Sequence, residues 1–395
     1  MAPLHLASQL DESDVWAGWP RFLPRLNLLD HSQLADTPTA AFAKPMLQAG
    51  LDRQLVIAAR REPPTKVLLE PEAWRNQRPR SDRHKSFNAM GVLSLAGIVR
   101  PESFRTDDAG SLVRYAEAFY TEEEIRGSSV VITPSHQAGG YGTAGREGEL
   151  RLAQASAALA NRGGWLTRGD EPKPLLVGIT VDASRIGDSH AALLLARSYA
   201  EVGCDGYWVQ LSHLTEAVSA DRVSAAATFL FALQGLSGRR VFAVDCKNLT
   251  WAFLAAGLSG ACIGAAGRAQ FDGPEAFDNT PRKVQHTVFH PTLMRSFLAK
   301  SNHARVAFAK FPCSCGTHDA KAVPQGKAAI DAHATRLRMS MADAASGPQA
   351  EVIVWNWLTA AGWAASDLSV DGPPVGAYQA VFLAAIEWRD AAASE

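Results

Sequence analysis

The feature that most constrains the fold of this chain is a regular alternation between two kinds of segment. Short runs rich in β-branched residues, such as Leu175–Asp182, are followed by longer segments rich in Ala and Leu. In the longer segments the apolar residues lie three or four positions apart, which is typical of a helix packed on one face. A buried parallel strand needs a nearly continuous apolar run, so the alternation indicates βαβ units around a parallel sheet.

We predict strands at residues 54–59, 66–70, 129–134, 175–182, 206–211, 240–245, 260–264 and 305–311. Helices are predicted at residues 111–126, 147–161, 189–202, 219–236 and 251–257. About eight strands with intervening helices favour an α/β fold of the (β/α)8, or TIM-barrel, type. An open doubly wound sheet is the alternative, but no Gly-rich phosphate-binding fingerprint follows an early strand to support it.

The chain divides into three parts in this interpretation. Residues 1–50 are rich in Pro, Trp and Leu without a clear period, and we expect them to form an irregular cover on the barrel. Residues 51–348 form the barrel itself. Residues 349–395 contain two amphipathic stretches, 351–361 and 378–392, which predict a helical extension.

Composition excludes several classes of protein. With 47% hydrophobic and 20% charged residues, the chain can bury a large core and is not wholly disordered. A formal net charge of −1 excludes nucleic-acid binding by overall charge alone and leaves residues 75–85 as a local basic patch. No apolar run approaches the roughly 18 residues of a membrane helix, and no export signal is visible, so we expect a cytoplasmic protein with no membrane contact.

The five cysteines include a short motif with the character of a metal site. Cys313, Cys315 and His318 form the pattern Cys-x-Cys-x2-His directly after the predicted strand 305–311, on a loop that contains Gly316. Two thiolates and an imidazole at this spacing can converge on one ion, and zinc favours four sulfur and nitrogen ligands. Two buried free thiols beside unrelated histidines are the alternative interpretation.

A fourth ligand is needed to complete a tetrahedral zinc site. His333, in a predicted helix at 327–344, could project back to the loop, and His303 is the substitute. A site in which the protein fills all four positions is structural rather than catalytic. The sequence therefore predicts structural zinc within residues 313–333.

These residues resemble the tRNA-guanine transglycosylases and their DNA-modifying relatives, which are (β/α)8 barrels that exchange guanine for a 7-deazaguanine. Members carry a Cys-x-Cys-x2-Cys loop and a later His on a helix, which bind zinc in an insertion at the last barrel unit. Here His318 replaces the third Cys and the gap to the helix is shorter. The segment HATRLRMSMADA, residues 333–344, resembles the family helix in which an Arg-containing stretch follows the ligand His.

A second match to this family covers two successive strands. LLVGITVDAS is followed by a helix and then by EVGCDGYWVQLS, residues 201–212, in the arrangement of the family's Gly-Ile-Val and Gly-x-Asp-Gly-Tyr strands. The resemblance therefore extends over residues 66–344. It implies a pentosyltransferase that acts on DNA or tRNA and a modified purine base, either as a homodimer or with a partner subunit.

The strand ends depart from the family pattern. The family places acid/base and base-binding Asp residues after early strands, a Gln after the Gly-Ile-Val strand, and an Asp nucleophile on the penultimate strand. The corresponding positions here hold Glu70, His136, Val181 or Asp182, and the run 264–268. No Asp stands at the expected nucleophile position, and Asp272 lies a few residues further along.

Barrel enzymes carry their catalytic side chains at the carboxyl ends of the strands. That rule nominates Glu70, His136, Asp182, Gln210, Asp245, Lys247 and Arg268. Glycosyl exchange needs a carboxylate at the anomeric carbon and a group that moves a proton to the departing base. Asp182 or Asp245 would serve the first role and Glu70 or His136 the second. Gln210, Lys247 and Arg268 would bind substrate.

The leading hypothesis is thus a transglycosylase-like barrel with structural zinc. The alternative is a catalytically inactive barrel of the same kind that serves as a nucleic-acid or protein interaction subunit, because the expected nucleophile is missing. Lys247, two residues after Asp245, also permits Schiff-base chemistry of the aldolase type.

Overall fold

A computed structural model describes residues 14–16, 18–24, 40–43, 65–70, 72–77, 99–104, 109–168, 171–215, 217–263 and 286–392. The predicted strand 54–59, the run 264–268 with Arg268, Asp272 and most of the basic segment 75–85 lie outside these residues.

The strands, in chain order, are β1 (Phe22–Pro24), β2 (Ala40–Ala43), β3 (Lys66–Leu69), β4 (Val131–Ile132), β5 (Gln137–Ala138), β6 (Thr167–Arg168), β7 (Glu171–Pro172), β8 (Leu175–Asp182), β9 (Gly206–Ser212), β10 (Arg240–Val244), β11 (Gly260–Ile263), β12 (Thr287–His290) and β13 (Arg295–Leu298). The α-helices are α1 (Ala109–Ile125), α2 (Ala144–Arg162), α3 (Ser189–Ala200), α4 (Ala220–Ser237), α5 (Leu249–Ala255), α6 (Asn302–Lys310), α7 (Gly326–Ser346), α8 (Ala350–Asp367) and α9 (Val375–Ala392). The fold is mixed α/β, as predicted.

A curled parallel sheet forms the centre of the fold. Its strands lie in the order β1, β11, β10, β9, β8 and β4, and β5 pairs with the far end of β8. All of these pairings are parallel, so the carboxyl ends of the strands meet at one edge. The described sheet is a half-barrel of six neighbouring strands, with β5 as a seventh strand beside the carboxyl end of β8. Two further strands, β2 and β3, pair in parallel with each other.

The two faces of the sheet have different neighbours. Leu176, Trp208 and Phe242 form an apolar cluster on the inner face of the curl. The residues that alternate with them pack against the helices in a second, larger cluster, so both faces are buried. Because strand side chains alternate between faces, Thr180 and Gln210 share the inner face with Leu176 and Trp208. Polar side chains therefore line the interior toward the carboxyl edge.

Helix ends near this edge follow local sequence signals. The side chains of Thr143, Asp188 and Ser301 accept hydrogen bonds from the backbone of α2, α3 and α6 respectively. Such caps satisfy amide groups that the helix leaves unpaired. At the other end of the chain, α8 and α9 confirm the predicted helical extension, and α9 packs on α4 and α5.

The predicted strand 305–311 is wrong, because these residues belong to α6. Ala304, Ala307 and Phe308 are buried at helical spacing, whereas Val306 between them is exposed. The alternation of small and bulky residues resembles a strand pattern, but the Ser301 cap and the three- and four-residue spacing favour a helix. The metal motif therefore follows a helix and not the last strand.

The N-terminal segment, for which an irregular cover was predicted, supplies strands in its described part. Phe22, Leu23 and Pro24 pair with Ala261, Cys262 and Ile263, so that β1 extends the sheet beyond β11. Ala40–Ala43 forms β2. Strands of three and four residues carry too short a pattern for sequence periodicity to detect. Within the described residues, no helix is both long and apolar enough to cross a bilayer.

The packing of α2 against residues 101–103 generates a test of the fold. A Cβ at Gly148 would lie 1.9 Å from the carbonyl oxygen of Pro101, so the backbone must shift in Gly148→Ala. We expect a loss of about 1 to 3 kcal/mol in the free energy of unfolding, measured by urea denaturation. Gly362→Ala is the matched control, since a Cβ there meets nothing within 4 Å, and it should stabilise by about 0.5 to 1 kcal/mol. Equal effects of the two substitutions would contradict this packing.

Candidate metal centre and strand-end residues

The four predicted metal ligands converge on one point. Cys313, Cys315 and His318 lie on the loop between α6 and α7, and His333 lies on α7. The loop reverses at Gly316, whose φ of +72° is readily adopted by glycine, and the Cys313 amide donates to Ala320 O at 2.8 Å. The structure thus confirms that the four predicted ligands lie together, in an arrangement that could hold a metal ion. His303, the alternative fourth ligand, is exposed on α6 and lies outside the cluster.

The dimensions of the cluster suit a tetrahedral ion. All four ligand atoms lie within 4.8 Å of one another. The Nδ1 atom of His333 is 3.3 Å from Cys315 Sγ, 3.7 Å from Cys313 Sγ and 2.9 Å from His318 Nε2. Bonds of about 2.0 Å to nitrogen and 2.3 Å to sulfur place tetrahedral ligands roughly 3.3 to 3.8 Å apart. The cluster could therefore hold a metal ion after the most widely separated ligand atoms move together by up to about one ångström.

The outer nitrogens of both imidazoles are directed at backbone carbonyls. His333 Nε2 donates to Phe289 O at 2.6 Å, and His318 Nδ1 donates to Asp319 O at 2.7 Å. These bonds place the hydrogens on the outer nitrogens and turn the inner lone pairs toward each other. Two lone pairs at 2.9 Å repel unless a cation or a proton lies between them. This arrangement is the strongest sign that the cluster binds a cation.

The two cysteine thiols differ in their pKa. Contacts with Cys313, His333 and Thr317 lower the pKa of Cys315 to about 3, against the opposing effect of burial. The hydrogen bond to Cys315, together with burial, raises the pKa of Cys313. A divalent ion would displace the remaining proton and bind both sulfurs as thiolates.

Phe308 packs beside the cluster. Its ring lies 5.7 Å from the rings of both His318 and His333, and the ring of His290 packs edge-on against it. His290 Nε2 contacts Phe311 O at 2.9 Å, and burial lowers the pKa of this histidine to about 4. Buried, uncharged side chains lower the local dielectric constant, which strengthens the attraction between thiolates and a cation.

Two of the predicted strand-end residues form one hydrogen-bonded network on the inner face. Gln210 Nε2 donates to the carboxylate of Glu70. Gln210 Oε1 accepts from Thr180 Oγ1 at 3.4 Å, and Thr180 lies 2.8 Å from Ser135 Oγ. This network joins residues of β8 and β9 to the residues that follow β3 and β4, so Glu70 is held by a neighbour from across the sheet interior.

Asp245 directly follows the last residue of β10. It is 3% exposed, its φ is +56°, and its amide donates to Cys262 O at 2.8 Å. Burial and the negative charges of Asp245 and Glu70 raise the pKa of Cys262. Both carboxylates therefore act electrostatically on this buried cysteine.

His136 is fully buried and both of its ring nitrogens are occupied. Its Nδ1 lies 2.9 Å from Glu149 Oε1, and its Nε2 lies 2.8 Å from the Tyr115 hydroxyl. The backbone amide of His136 also donates to Glu149 Oε2 at 2.8 Å, and its ring stacks on that of Tyr115. This environment anchors α1 and α2 to the sheet and leaves no ring nitrogen directed at a ligand.

Asp182 is engaged in closing a turn. Its Oδ1 accepts from the amide of Ser184 at 2.9 Å and from the Ser184 hydroxyl at 2.7 Å. Arg185 and His213 approach the same carboxylate, each at 3.6 Å. The side chain caps the short helical turn Ala183–Arg185, which is a structural role.

One residue near these strand ends escaped the sequence-based assignment. Arg338, on α7, is buried, and burial lowers its pKa to about 10 although the charges of Asp245 and Asp331 oppose that shift. It also lines a cavity together with Lys247. Its sequence signal is its place on the predicted helix of His333, five residues further along.

No protein-family model matches the chain, and no curated protein matches it. Its function is therefore inferred from the residues and their geometry.

Loss of one ligand tests the metal centre. We expect Cys313→Ser to abolish binding of one equivalent of zinc, measured by elemental analysis and a chromophoric chelator. The free energy of unfolding should fall by about 3 kcal/mol or more, because an ion that binds only the folded chain stabilises it. Cys204→Ser, at a buried cysteine outside the cluster, should retain the ion. Equal metal content in both variants would reject the site.

The structural role of His136 is tested through its partner. In Glu149→Gln one of the two carboxylate oxygens that contact His136 becomes an NH2 group, and we expect a loss of about 1 to 3 kcal/mol in unfolding free energy. Glu147→Gln, on the exposed side of α2, should change it by less than about 0.5 kcal/mol. Both free energies are measured by urea denaturation, and equal stabilities of the two variants would show that the hydrogen bonds between His136 and Glu149 do not stabilise the fold.

Proposed function

We propose that this chain is a zinc-stabilised (β/α)8 barrel of the transglycosylase type, which exchanges a guanine for a 7-deazaguanine in DNA or tRNA. The observation that supports the proposal is a pair of buried carboxylates, Glu70 and Asp245, which follow different strands and both act electrostatically on the buried Cys262. The base-exchange chemistry needs two such groups with distinct roles.

A complete barrel is supported by contacts beyond the half-barrel. β1 pairs with β11, and β2 with β3, and the amide of Ser129, beside β4, donates to Val67 O of β3 at 2.8 Å. With β1 next to β2, these links order eight strands around a circle in chain sequence, which is the (β/α)8 topology. In that topology β1 is the first strand and β11 the last.

Zinc is the ion that the donor set favours. Two thiolates and two imidazoles form a soft tetrahedral set, and the protein fills all four positions. No position remains for substrate, so the ion would act by holding α7 against the preceding loop. This matches the structural role that the resemblance implies.

We assign Asp245 as the nucleophile that attacks the sugar and Glu70 as the acid/base that transfers the proton. A carboxylate oxygen of Asp245 bonds to the anomeric carbon as the glycosidic C–N bond breaks. The electron pair leaves with the purine, whose nitrogen takes a proton from the Glu70 carboxyl. The incoming base returns a proton to Glu70, and its nitrogen bonds to the anomeric carbon as the bond to Asp245 breaks.

Gln210 and Lys247 have supporting roles in this assignment. Gln210 donates to Glu70 and so orients the carboxyl group that moves the proton. Lys247, two residues after Asp245, faces a cavity in which substrate would lie. Asp182 and His136 are not assigned to the reaction, because the Asp182 side chain closes a turn and both ring nitrogens of His136 are hydrogen-bonded.

The test is incorporation of labelled guanine and labelled 7-deazaguanine into tRNA and into duplex DNA by the metal-loaded protein. Asp245→Asn and Glu70→Gln should each lower the exchange rate by about a thousandfold or more, because each removes a group that takes part in bond making. Asp343→Asn and Glu171→Gln, at exposed positions, are the matched controls and should exchange at the parent rate.

Incorporation that persists in both variants would reject the residue assignment. Absence of incorporation into either nucleic acid, together with retained salt-dependent binding, would reject the enzyme in favour of an inactive interaction subunit.

A further inference from the structure

A cavity of about 550 Å³ lies beside the carboxyl end of β10. Its walls come from the turn after β10, the hairpin of β12 and β13, helix α7 and the start of α9. The polar side chains among its lining residues include Lys247, Thr287, Arg295, Ser296, Arg338 and Tyr378. None of the four metal ligands lines it, so it is separate from the metal centre.

Basic groups dominate the charge of this cavity. Lys247, Arg295 and Arg338 line it, against one acidic residue, Asp371. Arg295 Nη1 donates to the backbone carbonyl of Asp371 at 3.2 Å and not to its carboxylate. Across the described part of the chain, no carboxylate forms an ion pair with Lys247 or Arg295.

Arg338 is the most constrained of the three basic groups. Its side chain is only 8% exposed, and its buried Nη1 atom has no hydrogen-bond acceptor among the described residues. The negative charges of Asp245 and Asp331 favour the charged form of this guanidinium, and Asp331 also binds the ammonium of Lys327 at 3.0 Å. A buried guanidinium N–H without an acceptor is costly, and an anionic ligand in the cavity would satisfy it.

The backbone presents Lys247 to the same space. Its φ of +47° and the φ of +56° at Asp245 are both in the left-handed region that non-glycine residues seldom adopt. Strained backbone of this kind persists where the surrounding fold imposes it, and it is concentrated at ligand sites. The turn after β10 reaches the hairpin that carries Arg295, because Asn248 Nδ2 donates to Met294 O at 2.9 Å.

We propose that this cavity binds the phosphate group of a nucleotide, with Arg338, Arg295 and Lys247 as its ligands. Guanidinium groups pair with phosphate through two parallel hydrogen bonds, and the lysine ammonium adds a point charge. A volume of about 550 Å³ exceeds what a bare phosphate needs and falls within the range of small-molecule sites. The phosphate can belong to a free nucleotide or to a nucleic-acid chain.

The binding site does not depend on base exchange. Lys247 follows Asp245 by two residues, so a bound phosphate would lie near the carboxylate assigned to the sugar. A protein that binds nucleotide phosphate without exchanging a base keeps this site and loses the proposed activity. A protein that exchanges a base but does not bind nucleotide phosphate in this cavity would keep the proposed activity and lose this site.

The test is calorimetric titration of the zinc-loaded protein with guanosine monophosphate, guanosine, inorganic phosphate and a single-stranded DNA oligonucleotide. We expect the monophosphate to bind at least about tenfold more tightly than guanosine, and inorganic phosphate to compete with it. Lys247→Ala and Arg338→Gln should each weaken binding about tenfold or more. Lys300→Ala and Arg305→Gln, at exposed positions outside the cavity, should bind as the parent does.

The outcomes separate the two sources of phosphate. Binding of the monophosphate that depends on Lys247 supports a free nucleotide as the ligand. Binding of the oligonucleotide alone, again dependent on Lys247, supports a phosphodiester of a nucleic-acid chain. If neither ligand binds, or if Lys247→Ala binds as the parent does, the site is rejected. Because Lys247 is only half-buried, that variant decides the question even if Arg338→Gln fails to fold.

Discussion

The convergence of His333 with the loop ligands is the interaction on which the candidate site depends. The ring of His333 contacts both cysteine sulfurs and His318 through Nδ1, while its Nε2 donates to Phe289 O of β12. One imidazole thus joins α7, the metal loop and the β12–β13 hairpin. A cation between the inner nitrogens would convert a repulsive contact into the tightest link in this region.

Helix α7 connects the metal cluster to the sheet. His333 and Arg338 are both buried on this helix, and Arg338 interacts electrostatically with Asp245 at the end of β10. Because a helix is stiff over such a short span, the position of the metal loop and the position of the guanidinium are coupled. The metal centre can therefore organise the strand ends without touching a substrate.

The core near the strand ends buries charged and polar side chains that a purely structural core does not need. Glu70, Asp245 and Gln210 are each at most 3% exposed, although apolar residues would be buried at lower cost. Gln210 donates to one carboxylate, and Arg338 supplies a positive charge near the other. Buried carboxylates with such partners are characteristic of functional sites.

Sequence alone determined the alternating α/β pattern, the bounds of β8 and the identity of the four clustered Cys and His residues, because strand burial and ligand spacing are local properties. Only the tertiary structure decided that residues 305–311 lie in a helix, that Phe22–Pro24 completes the sheet beside β11, and that His136 and Asp182 serve as anchors. It also brought Arg338 to Asp245, which lies 93 residues earlier in the chain. Each of these depends on contacts between distant segments, and long-range pairing leaves no periodic trace in the amino-acid sequence.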